Sequence, residues 1–245
     1  MTKKNNRNPV LLVHGLNDTG AVFSKMAPYL TNLGWYVYDL DLIPCNGDAK
    51  LDHLARQVAY YINHTFDPSQ PIDIVGFSMG GIVSRYYIQR LGGINRVQRF
   101  ITIASPHRGT FAAYASTRPG CIQMRPDSEF LLGLNQDVAM LENINFTSIW
   151  TPLDLMIVPA NSSQLPVGKD VQVLTATHPL MLTDARSLQA VAIALTEPIA
   201  KESSNVEEVY NFSQPVVQLS NRGVARQVRE IASWRLLDIL DKKIF

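Results

Sequence analysis

The chain reads as an α/β fold, a mostly parallel sheet of about six strands flanked by helices. Three observations carry this. Short apolar runs bounded by turn residues alternate with segments whose apolar positions recur at helical spacing, which implies right-handed βαβ crossovers. One such run, Ile72-Asp73-Ile74-Val75-Gly76-Phe77, passes through Ser78-Met79-Gly80-Gly81 directly into a helix-compatible segment. A third observation is length: 245 residues suffice for one well-buried domain, here about 1–200, with a tail from 201 to 245.

Val10 to Val13 is a continuous apolar run, as expected of a strand covered on both faces, and it opens onto the turn-rich loop His14 to Gly20. From Ala21 to Leu33 the positions Val22, Phe23, Met26, Ala27 and Leu30 predict a helix, stopped by Gly34 in a left-handed cap. Trp35 to Leu40 predicts the second strand, and Asp39 to Asp48, with Pro44 and Asn46-Gly47, a turn. Leu51, Leu54, Ala55, Val58, Ala59 and Ile62 form the clearest amphipathic helix, with His53 and His64 on or beside its solvated side. After the Ser78 turn a helix runs from Gly80 to Arg90 and closes at Gly92-Gly93. Val97 to Ala104, Phe146 to Trp150 and Val171 to Leu174 predict three further strands, and Asp184 to Leu195 a last core helix.

Between about 105 and 145 the alternation lapses into a Pro-, Gly- and small-residue-rich segment, predicted to be an insertion with small helices of its own that caps the site. In the tail, Val224, Val228, Ile231, Trp234, Leu237 and Leu240 predict a helix over about 223–241, with Arg226, Arg229 and Arg235 beside the stripe. Such a helix suits packing on the body or self-association, or else peripheral contact with a membrane surface.

A net charge of +1 with 18% charged residues, and no basic stripe, speaks against nucleic acid as a partner. Cys45 and Cys121 have neither zinc spacing nor a disulfide framework and are expected as free thiols. Met1 to Asn8 is polar, and no run approaches a membrane span, so a cytoplasmic location is expected. No cofactor or metal is expected either.

The strand, tight turn and helix around Gly76-Phe77-Ser78-Met79-Gly80 have the form of a nucleophile elbow, in which glycines leave room for the turn and the serine stands clear of the sheet. A serine hydroxyl at neutral pH needs a general base, and the base needs an acid that sets its tautomer. With such elbows the chain order is Ser, acid, His. Only His107 and His178 follow Ser78, and His178 alone comes after a late strand with room for the acid before it. Asp154, in the apolar setting of Leu153, Leu155, Met156 and Ile157, is the candidate acid, because a carboxylate there needs a partner. Asp137, Glu142 and Asp170 are the alternatives, in more polar surroundings. For an oxyanion hole the N–H of Met79, at the start of the helix, would be joined by that of Leu16, with His14 and Gly15 ordering the loop. His107 is expected to brace its own loop.

On these motifs the chain resembles the α/β-hydrolase lipases and esterases, in particular small bacterial triacylglycerol lipases. The matching stretches are Val13-His14-Gly15-Leu16, Gly76 to Gly81, Ala104-Ser105-Pro106-His107-Arg108-Gly109-Thr110, and Asp154 with Val158-Pro159, within a resemblance covering about Pro9 to Leu195. The resemblance implies hydrolysis of carboxylic esters of lipids or other apolar acyl esters through an acyl-enzyme on Ser78. Gln123 to Pro126 and Phe130-Leu131-Leu132 look like the compact cap of those enzymes, where the apolar cluster would serve an acyl chain or close the core. The same chemistry serves a thioesterase or a phospholipid or inositol deacylase, and the rival of another class is a non-catalytic α/β-hydrolase scaffold.

Overall fold

Val10–Val13 forms β1, wholly buried, and every later strand is laid parallel to it. The computed structural model describes residues 7–199, so the tail and its expected helix at about 223–241 lie outside the described residues. In order follow α1 (Met26–Asn32), β2 (Val37–Leu40), α2 (Leu51–Thr65), β3 (Ile72–Phe77), α3 (Met79–Arg90), β4 (Val97–Ile103), α4 (Pro119–Gln123), α5 (Glu129–Gln136), β5 (Asn145–Trp150), β6 (Lys169–Gln172) and α6 (Ala185–Thr196). The sheet order is β2-β1-β3-β4-β5-β6, parallel throughout. Strand order therefore reverses between β1 and β3. The crevice outside the carboxyl ends of those two strands is where a parallel sheet offers a ligand site.

Alternate side chains leave the sheet on opposite faces, and both faces are covered. Leu11, Val13, Ile74, Phe100 and Phe146 pack with α2 and α3, while Val10, Leu12, Val75, Ile101 and Ile149 pack with α1 and α6. Each such side chain contributes about 1.5–3 kcal/mol relative to exposure. Among the described residues no helix is long and apolar enough to cross a membrane.

Three elements differ from the sequence expectation. The helix expected over Ala21 to Leu33 is split into a 3₁₀ turn at Gly20–Phe23 and α1. Pro28 explains the break: without an N–H it is tolerated only in a first turn, so the helix starts two residues before it. The second strand starts at Val37 rather than Trp35, although Trp35 itself is buried. β6 lies at Lys169–Gln172, not Val171–Leu174, and its residues are mostly exposed. As an edge strand it has one neighbour, β5, and its bounds follow that pairing rather than its own apolar run.

The insertion between β4 and β5 carries α4, α5 and two 3₁₀ turns, Phe111–Ala115 and Val138–Asn143. Its apolar cluster closes the core: Leu131 is buried and Phe130 stacks on Tyr86 of α3, with ring centroids 5.3 Å apart. Arg85 of α3, fully buried, fixes α5 in place. Its guanidinium donates to Gln89 Oε1 at 2.7 Å, Asn135 Oδ1 at 2.9 Å and the Leu134 carbonyl at 2.8 Å. Burial, with Arg90 nearby, pulls its pKa down to about 9, so the side chain remains a cation at neutral pH.

At the other end of the sheet Asp73 is fully buried on β3, accepting from Asn8 Nδ2 at 2.9 Å and pairing with Arg99 at 3.1 Å. Burial outweighs these partners and raises its pKa from 3.8 to about 6. The folded protein thus retains a proton that the unfolded chain releases near pH 3.8, so the contribution of Asp73 falls as pH rises from there to about 6 and is level above. We expect urea midpoints of the wild type and Asp73→Asn to diverge across that interval and to run parallel above it. Parallel curves throughout would refute the assignment.

Candidate active site

β3 ends at Phe77 and α3 begins at Met79, leaving Ser78 alone in the turn at φ 52° and ψ −123°. A side chain held on the positive-φ side costs on the order of 1–3 kcal/mol and persists only where its surroundings impose it. Here they do. The Ser78 N–H donates to the Ile103 carbonyl at 2.8 Å, and its own carbonyl accepts from Gly81 N at 3.1 Å. The turn closes only because two neighbours lack a side chain: a Cβ on Gly76 would sit 2.6 Å from Gly81 Cα, and one on Gly80 2.2 Å from the Val13 carbonyl oxygen.

β1 ends against this turn. His14 is fully buried, with Nε2 accepting from Leu42 N at 2.8 Å and Nδ1 2.9 Å from the Gly15 carbonyl. Both contacts are satisfied by the neutral ring protonated on Nδ1, which makes His14 a brace between the β1 loop and the chain leaving β2. Gly15 runs so near the turn that a Cβ there would lie 3.1 Å from the Ser78 Cβ. Leu16 lines the same cavity as Ser78, and Met79 is the first residue of α3, where N–H groups have no intrahelical acceptor.

The loop after β5 supplies Asp154 and the loop after β6 supplies His178, and these two are brought together. Asp154 Oδ2 is 2.7 Å from His178 Nδ1, while Oδ1 accepts from Met156 N at 2.8 Å and Ile157 N at 2.9 Å. The side chains are nearly closed to solvent, with the residues 5% and 8% exposed. The His178 ring also packs on Phe77, centroids 4.8 Å apart. Two threonines hold this pair of loops, and nothing in the sequence points to them. Thr151 Oγ1 donates to the Thr175 carbonyl at 2.7 Å, joining the loops. Thr110 Oγ1 donates to the Met156 carbonyl at 2.8 Å and accepts from Val158 N at 2.9 Å.

The alternative acids are engaged or remote. Asp137 is ion-paired with Arg90, Asp170 accepts from Trp150 Nε1 at 2.7 Å and Gln164 Nε2 at 2.8 Å, and Glu142 is exposed on a 3₁₀ turn. His107 is fully buried, 3.0 Å from Thr102 Oγ1, and burial holds its pKa well below 6.5, so it braces its loop as a neutral ring. His53 and His64 are exposed.

Ser78 and His178 line one cavity of about 450 Å³. Its cap side is apolar, formed by Ala112, Ala113 and Met124 with the free thiol of Cys121 among them, and Met156 and Ile157 of the loop after β5 add to the apolar lining. A more open groove of about 640 Å³ is lined by Asp39, Asp41, Arg56 and Tyr60, with no serine or cysteine among the described residues lining it. Among the described residues no group of three or more His, Cys, Asp or Glu is placed to hold a metal ion.

A parallel sheet with the serine turn after its third strand, acid and histidine loops following in that order, and a helical insertion over the crevice define an α/β-hydrolase of lipase and esterase architecture. Solved structures agree at the level of fold. Aspergillus fumigatus lipase B superposes with a TM-score of 0.69 over 83% of this chain at 19% identity, though the match covers only 56% of that longer chain. Bacillus licheniformis lipase BlEst2 in its mature form gives a TM-score of 0.65 at 15% identity, covering 78% of this chain and 93% of that one. A Listeria innocua protein gives 0.59 at 15% identity, covering 80% and 97%. Within this fold the chain belongs to the palmitoyl protein thioesterase family, whose model matches residues 9–152.

Proposed function

We propose that this protein is a serine hydrolase that cleaves esters and thioesters of apolar acyl groups through an acyl-enzyme on Ser78. The observation that carries it is the convergence of Ser78, at a strained turn, and the Asp154–His178 pair on one cavity with an apolar cap side. Ser78 Oγ attacks the acyl carbonyl while His178 Nε2 takes its proton, and Asp154 keeps the other ring proton on Nδ1. The N–H groups of Leu16 and Met79 receive the oxyanion. His178 then protonates the leaving alkoxide or thiolate, and water activated by the same ring releases the fatty acid.

The oxygen-ester reading is supported by the lipase and esterase architecture. The thioester reading is favoured by the family match, since transfer of the acyl group to Ser78 requires the same base and oxyanion donors whichever atom leaves. The full chain should react with an active-site fluorophosphonate, and should hydrolyse p-nitrophenyl and S-acyl substrates with kcat/KM rising from acetyl to hexanoyl as the cap side fills. A folded protein that neither labels nor cleaves is a scaffold, and the proposal fails.

A further inference from the structure

The loop that carries Leu16 brings a carboxylate to the cavity that the triad chemistry does not use. Asp18 lines the cavity with Ser78 and His178, and it is half-buried. A Cβ placed on Gly15 would lie 3.0 Å from Asp18 Oδ2 and 3.1 Å from the Ser78 Cβ, so carboxylate and serine flank the same point. Among the described residues the cavity lining contains no lysine or arginine, and Asp18 is its one carboxylate. Further negative charge stands at the end of the loop, where Asp41 Oδ1 accepts from Gly20 N at 2.7 Å and a Cβ on Gly20 would collide with Asp39 Oδ1. Arg56 lines the neighbouring groove with those two aspartates, not this cavity.

His178 lines the same cavity as Asp18, and His14 stands at the start of the same loop. His14 is the neutral brace described above, so the neighbour of mechanistic consequence is His178. Whichever atom leaves must meet the His178 ring to be protonated, and that ring and Asp18 line the same cavity. Burial raises the Asp18 pKa against the opposing pull of its neighbours.

We infer that Asp18 is a specificity-determining residue that selects leaving groups by charge, accepting neutral or cationic alcohols and thiols and disfavouring those that carry carboxylate, sulfonate or phosphate. A thiol in a basic peptide or an amine-bearing carrier suits such a site. An anionic carrier meets a like charge with no compensating cation among the described residues of the lining. The inference rests on the hydrolase reading and names the substrate class of that same site.

Three thioesters with one acyl chain test it on the full chain at about pH 8, where carboxylates are ionised. They are S-hexanoyl thiocholine, neutral S-hexanoyl mercaptoethanol and anionic S-hexanoyl mercaptopropionate, followed by thiol release. In the wild type kcat/KM for the cationic substrate should exceed that for the anionic one by on the order of tenfold, as a partly screened charge pair gives. The ratio should shrink in about 0.5 M salt. Asp18→Asn should bring it to within about twofold, whatever its effect on the absolute rates, because a merely structural loss lowers all three substrates together. An unchanged ratio in Asp18→Asn, with the neutral thioester still cleaved by the wild type, overturns the charge selection alone. A wild type that cleaves none of the three overturns the hydrolase reading and this inference with it.

Discussion

Ser78→Ala is expected to lower kcat/KM for a p-nitrophenyl hexanoate substrate by on the order of 10⁴-fold or more, with the fold intact. The size follows from the role: the nucleophile is lost altogether, and only substrate binding and the amides of Leu16 and Met79 remain to assist attack by water. The stability expectation is independent. Serine and alanine both carry a Cβ, so the strain at φ 52° is the same for each, and the bonds that hold the turn are from the Ser78 backbone. The urea midpoint should therefore move little, within about 0.5 kcal/mol. Activity within tenfold of wild type in a protein of unchanged midpoint would remove Ser78 from the mechanism.

Asp154→Asn is expected to cost on the order of 10³- to 10⁴-fold in kcat, through the tautomer of a ring it does not itself displace. The two N–H groups of Met156 and Ile157 point at one carboxylate oxygen, Oδ1, and hold it there. An asparagine keeps these bonds by presenting its carbonyl to them, which turns its NH₂ toward His178 Nδ1. That nitrogen must then accept, so the ring proton moves to Nε2, the atom that has to take the proton from Ser78. The loss should lie in kcat more than in KM, because the acyl side of the cavity is untouched. If Asp154→Asn keeps within tenfold of wild-type kcat, the acid is another residue and the 2.7 Å contact is structural.

Much of this site is visible in one dimension because its parts are local. The elbow occupies adjacent residues, and the requirement for Gly76 and Gly80 is a steric one that any sequence with this turn must meet. Asp154 and His178 were indicated by chain order and by an apolar setting in which a lone carboxylate is costly. Of the four acids considered, however, the sequence alone ranks them by surroundings, and the distance from Asp154 to His178 is a property of the packed loops.

What escaped the sequence is non-local. Thr110 and Thr151 look like ordinary turn residues, and their bonds reach carbonyls across separate loops. Arg85, within α3, is buried because α5 folds over it from a distant part of the chain. Phe130 to Leu132 could have lined an acyl site or closed the core, and only the stacking of Phe130 on Tyr86 shows the second. Asp18 carries no signal beyond its place in a turn.

The sequence by itself determined the strand and helix types, a mostly parallel sheet, the serine turn and a short set of candidate partners, since hydrophobic period, glycine sterics and turn chemistry act between near neighbours. Tertiary structure alone decided where the edge strand begins, which loops line one cavity with Ser78, and which carboxylate lines it with them. Those depend on pairing and burial between residues far apart in the chain, where the free energy of a contact belongs to both partners and is written in neither segment.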